Sequence, residues 1–135
     1  MVYETRSAQE TFALGERIGR EAKPGEIYTL TGDLGVGKTV LTQGVASGLG
    51  IVGTVNSPTF TILQVYENGR LPFYHFDVYR IGDEEEMDCF FGGGVCLIEW
   101  AERISGILPE MRISILIEKD LACGLDYRKI TINNR

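Results

Sequence analysis

Gly32-Asp33-Leu34-Gly35-Val36-Gly37-Lys38-Thr39 fits the pattern G-x-x-x-x-G-K-T in full, and the residues on either side of it decide the fold. Gly32, Gly35 and Gly37 let the backbone curl so that the N–H groups through Val36 turn inward on phosphate oxygens. Lys38 is placed to reach the outer phosphates, and the Thr39 hydroxyl can ligate magnesium. A helix that starts at this point adds the positive end of its dipole. Upstream, Pro24-Gly25 signals a turn, and residues 26–31 (Glu-Ile-Tyr-Thr-Leu-Thr) form the short β-branched and aromatic run expected of a buried strand. Downstream, Val40, Leu41, Val45, Ala46 and Leu49 recur at helical spacing until Gly48 and Gly50 end the pattern. Strand, glycine loop, helix is the context in which this motif binds a nucleotide. Without it the same residues would be an unliganded glycine-rich turn.

Working outward, Ser7-Ala8-Gln9-Glu10 reads as a capping box. Phe12, Gly15, Ile18, Gly19 and Ala22 then fall on one face of a helix near residues 7–22. Residues 59–66 and 71–80 are strand-forming runs separated by Glu67-Asn68-Gly69-Arg70, which predicts an antiparallel hairpin. Residues 83–88 read as an acidic helix start. Residues 95–98 read as a buried strand ending on Glu99, and strands are expected over 113–117 and 127–132. The sum is an α/β chain of P-loop NTPase character, a mixed β-sheet flanked by helices, read as a single domain over residues 1–135.

Composition narrows the classes. Thirteen basic residues against nineteen acidic ones give a net charge of −6. With no face rich in Lys and Arg, unaided binding to nucleic acid through its phosphates is disfavoured, so an RNA substrate would have to be held mainly by something else. Cys89, Cys96 and Cys123 are odd in number and lack C-x-x-C spacing, which argues against a disulfide framework or a zinc site and for a reducing compartment. No apolar run reaches membrane-spanning length, and the expectation is a soluble cytoplasmic protein.

Hydrolysis needs more than a phosphate loop: a second acid near the metal and a group that places water. Glu99 follows four apolar residues, the pattern of a strand delivering an acid to the ligand crevice, where a carboxylate can hold magnesium directly or through water. The plain alternative is an acidic residue that happens to end a strand. In His75-Phe76-Asp77-Val78-Tyr79-Arg80, alternation puts His75, Asp77 and Tyr79 on a polar face and Phe76 and Val78 on a core face. Asp77 can orient water or a metal-bound water. His75 either hydrogen-bonds a phosphate or a partner, or is a satisfied structural histidine. Ser57-Pro58-Thr59-Phe60 lies where nucleotide switches place a γ-phosphate sensor, with Ser57 and Thr59 as candidates, and it reads equally as a proline-started edge strand. Arg80, Arg103 and Arg112 are possible charge stabilisers that spacing does not rank. The absence of N-K-x-D favours adenine over guanine.

Taken together, G-D-L-G-V-G-K-T at 32–39, S-P-T-F at 57–60, H-F-D-V-Y-R at 75–80, C-L-I-E-W at 96–100 and S-A-Q-E-T at 7–11 resemble the TsaE (YjeE) family of bacterial ATPases of tRNA threonylcarbamoyladenosine biosynthesis. The resemblance implies a weak, magnesium-dependent ATPase that cycles between ATP and ADP. It would work in the cytoplasm with the TsaD and TsaB proteins, meet tRNA only through that complex, and reset the complex between rounds. By residue match, Thr39 and Glu99 become the Mg2+ ligands, Lys38 the phosphate lysine and Asp77 a residue needed for turnover. Ala8 and Thr11 match a region that the family places near the nucleotide. One departure stands out: between Asp88 and Cys89 this chain lacks several residues of the connector usual in the family.

Two further readings share the loop. One is a non-catalytic module in which nucleotide only gates docking. The other is a small-molecule kinase, for whose acceptor pocket and lid the chain has little length.

Overall fold

The computed structural model describes residues 1–32, 37–51, 63–77, 94–99 and 113–134, with the backbone alone at Leu63, Gln64, Phe76, Asp77 and Asn134. The elements in chain order are β1 (Val2–Thr5), α1 (Ala8–Glu21), β2 (Ile27–Thr31), α2 (Lys38–Gly48), β3 (Leu63–Tyr66), β4 (Phe73–Asp77), β5 (Val95–Glu99), β6 (Ile113–Lys119) and β7 (Arg128–Asn134). A short 3-10 turn at Leu121–Cys123 joins β6 to β7.

Among the described residues these strands form one seven-stranded sheet in the order β1-β7-β6-β2-β5-β4-β3. The four inner strands β6, β2, β5 and β4 run parallel, while β3, β7 and β1 pair antiparallel at the edges. The mixed α/β sheet and the β3–β4 hairpin agree with the sequence reading. β1, which that reading left unassigned, is added beside β7, with Val2 opposite Thr131 and Thr5 opposite Arg128.

Parallel strands are covered on both faces, and β5 shows it: Val95, Cys96, Leu97, Ile98 and Glu99 are all buried. Register then lines up one face across the inner strands. Tyr28 lies opposite Leu97, Leu30 opposite Glu99, Phe73 opposite Val95 and His75 opposite Leu97. The apolar members of this face share a core with Leu14 and Ala22 of the first helical segment and with Leu41, Val45, Ala46 and Leu49 of the second. Leu41, Val45 and Leu49 are fully buried, worth about 1.5–3 kcal/mol each against leaving them in water.

The helices meet backbone to backbone. A Cβ at Gly44 would fall on the Phe12 carbonyl oxygen, one at Gly48 on that of Glu16, and one at Gly19 on that of Val45. The helical face expected from Phe12, Gly15, Ile18, Gly19 and Ala22 is therefore largely the α1–α2 seam, with Leu14 added to its buried side. The end of α1 is held by Arg70 in the β3–β4 turn, whose Nη2 donates to the carbonyls of Gly19 (2.9 Å) and Ala22 (2.8 Å). No helix among the described residues is long and apolar enough to cross a membrane.

Candidate functional site

The inner strands deliver three chemistry-bearing positions to one edge. β2 ends at Thr31 and leads into Gly32; β4 ends at Asp77; β5 ends at Glu99, and Asp77 and Glu99 are register partners. In an open α/β sheet the carboxyl ends of parallel strands form the ligand crevice. Along β5 the stripe Val95, Leu97, Glu99 shares one face by alternation, so the core face turns ionic only at its last residue.

Across from Glu99, α2 opens at Lys38. The Lys38 Nζ lies 3.8 Å from Glu99 Oε1, with both side chains about nine-tenths buried. The other oxygen, Oε2, is 2.7 Å from Nε2 of His75, which is 0 % exposed. A buried carboxylate is costly unless paired and hydrogen-bonded, and here a cation and a ring N–H share the task. Sequence reading placed His75 on a polar face set against a core face. In the structure, Phe73 precedes it on the same face, fully buried, with the two rings stacked at 6.2 Å and 14°. His75 thus sits where the core gives way to the site, and its ring meets Glu99 from inside the protein, away from any surface at which a partner could dock.

Among the described residues, no side chain caps the start of α2. Its N-cap, Gly37, has φ +102°, offers no side chain to the first-turn N–H groups, and is followed by no acidic residue in that turn. Four amide donors at a helix start need partners, and the dipole there favours an anion. Next to Lys38, Thr39 is exposed.

A cavity of about 220 Å³ adjoins this helix start, lined by Ser7, Ala8, Thr11, Gly37, Val40, Asp126 and Arg128. It brings Ala8, Thr11 and Gly37, which the sequence named from two separate stretches, together with Val40 of the helix that follows the loop. Asp126 and Arg128 were not anticipated. They arrive because β7 pairs with β1 just before α1, a long-range pairing for which the local sequence carries no signal. Thr11 is held at the cavity by a 2.7 Å bond between its hydroxyl and that of Thr5, both buried. Arg128 donates through Nη1 to the carbonyls of Leu125 and Tyr127, which fixes its guanidinium at the rim.

Gly35, Val36, Ser57 and Thr59 lie outside the described residues, as do residues 83–88, the connector after Asp88, Trp100, Arg80, Arg103 and Arg112. For Asp77 the strand position is described and the side chain is not.

With this geometry in place, comparison with known proteins is specific. Residues 5–129 match the family model described as "Threonylcarbamoyl adenosine biosynthesis protein TsaE". The tRNA threonylcarbamoyladenosine biosynthesis protein TsaE of Bacillus subtilis is 50% identical over 96% of this chain and 82% of its own length. Its namesake in Treponema pallidum is 44% identical over 95% of this chain and 96% of its own. The crystal structure of Bacillus subtilis YdiB superposes with a TM-score of 0.85 at 44% identity, covering 98% of this chain and 83% of that one.

Proposed function

The chain belongs to the TsaE family of threonylcarbamoyladenosine biosynthesis proteins, and from that premise we propose that it is the magnesium-dependent ATPase of this tRNA modification, cycling between ATP and ADP in the cytoplasm. One observation carries the reading: the Lys38 ammonium and the Glu99 carboxylate stand 3.8 Å apart, both nearly buried, at the start of α2, where no side chain among the described residues serves as a cap. A lysine and an acid meeting at the positive end of a helix is a site made for a polyphosphate and its cation.

The residues present fit magnesium. Glu99 Oε1 already faces a cationic group, Thr39 follows Lys38 in the first turn of α2, and magnesium takes only one or two protein oxygens, the rest coming from water and phosphate. Held there, magnesium would supply positive charge to the phosphates. The α2 amides and Lys38 would hold the phosphates, and Glu99 would hold the metal side. Asp77, at the adjacent strand end, places the attacking water. The cavity of about 220 Å³ is smaller than the roughly 300–1,000 Å³ typical of sites for drug-sized ligands, so it suits one ring system, the adenine, with the phosphates outside it along α2. Asp126, Arg128 and Thr11 supply the polar groups around the base. The partners in this reading are the TsaD and TsaB proteins, with tRNA met through them.

The test is titration of the protein with ATP and GTP in the presence of magnesium, followed by phosphate release with and without TsaD and TsaB. Preferred ATP binding with partner-stimulated release is the expected result, and Asp77→Ala should abolish release while sparing binding. Binding without release under every condition would instead make the chain a nucleotide-gated docking module.

A further inference from the structure

The two oxygens of Glu99 have different partners, and the difference is mechanical. Lys38, on Oε1, has a flexible four-carbon stem rooted in the first residue of a helix. His75, on Oε2, is rooted inside β4, 0 % exposed, stacked on Phe73 and paired in register with Leu97 of β5. One contact can leave and the other cannot.

The proton on the ring follows from the acceptor. A carboxylate oxygen only accepts, so at 2.7 Å Nε2 carries the hydrogen. Nδ1 is buried and has no hydrogen-bond partner among the described residues. Leaving it so is unfavourable. A phenylalanine would avoid that cost in the same apolar stack, and its one loss would be the donor to Glu99.

We infer that His75 is the positioning residue of the Glu99 carboxylate: by fixing Oε2 it presents Oε1, the atom that faces Lys38, to cations. This rests on the proposed reading of Glu99 as the acid of the metal site. Glutamate has several rotatable bonds, and without the ring bond its carboxylate would follow the lysine when Lys38 turns to phosphate. Pinned at Oε2, it stays at the edge of the sheet. Partners of this kind, hydrogen-bonded to a metal-binding group, change metal affinity by about 10- to 100-fold when removed.

The experiment compares the natural protein with His75→Phe, which keeps the ring and loses the donor, His75→Gln, which keeps an N–H near the Nε2 position, and Glu99→Ala. Three quantities are read: the magnesium concentration that half-saturates its effect on ADP binding, ADP affinity without magnesium, and thermal unfolding. His75→Phe should raise the magnesium midpoint about 10- to 100-fold, leave magnesium-free ADP affinity unchanged, and be largely rescued by His75→Gln. An unchanged midpoint in His75→Phe alongside a raised one in Glu99→Ala overturns the inference and keeps Glu99 at the metal. An unchanged midpoint in both overturns the reading of Glu99 itself, and the inference with it. Because the chain has a single histidine, the nitrogen-15 spectrum of the nucleotide-free protein decides the geometry without metal or folding variants. A proton on Nε2 supports the inference; a neutral ring protonated at Nδ1 overturns it.

Discussion

Both α1 and α2 begin against the cavity that holds Ala8 and Gly37, yet the two starts are built to opposite specifications. At α1 the chain satisfies itself. Ser7 is extended, its hydroxyl accepts the Glu10 N–H at 3.1 Å, and the Glu10 carboxylate accepts the Arg6 N–H at 2.9 Å. At α2 the cap is a left-handed glycine with no side chain, no acid follows, and the lysine that opens the helix faces a carboxylate on another strand. A start that spends its donors internally steadies the fold. One that withholds them is available to a ligand, and its polar partners lie far off in the sequence.

Three substitutions sharpen or break this contrast. The largest effect belongs to Lys38→Ala. Removing one partner of a buried, charge-assisted contact costs about 2–5 kcal/mol, so affinity for magnesium ADP by calorimetry should fall at least about thirtyfold. A loss under threefold would show that α2 is open for some reason other than phosphate. Next is Gly48→Ala, which attacks the seam on which both helices rest. The new methyl meets backbone at Glu16, which cannot step aside. Against a helix-propensity gain of about 1 kcal/mol, overpacking at the upper end of its usual range, about 3 kcal/mol because the clash is with backbone, leaves a net destabilisation of about 2 kcal/mol in urea unfolding. A stabilised protein would mean the helices part without penalty. The smallest is Ser7→Ala, which removes the acceptor of the Glu10 N–H and is expected to cost about 1 kcal/mol in urea unfolding. Unchanged stability would mean that the α1 cap does not steady the fold.

What the sequence makes legible here is local. The capping box at Ser7, the glycine stop after α2 and the acid that ends β5 each follow from a few neighbouring residues, and the structure places each of those elements as read. β1 escapes because Val2-Tyr3-Glu4-Thr5 is short and carries no flanking turn signal; only pairing with β7 makes it a strand. The same pairing brings Asp126 and Arg128 to the cavity. The His75–Glu99 bond is hidden for a related reason: alternation along β4 gives the face but not the neighbour, which depends on where β5 pairs. Of the two readings of the ring, an outward contact or a structural histidine, the buried bond to Glu99 places it on the inner side. Packing also divides the cysteines. Burial pushes the Cys96 thiol up to about 12, whereas Cys123 is exposed beside the β6–β7 connection.

The pairing of Asp77 with Glu99 constrains how this chain can change length. Residues inserted in or deleted from the stretch joining β4 to β5 leave both strands facing as they do. One residue gained or lost within β5 itself would send Glu99 to the far side of the sheet, because side chains there count in twos. Relatives with longer connectors can therefore keep the same chemistry, while the five positions from Val95 to Glu99 admit exchange of residues but not a change in their number.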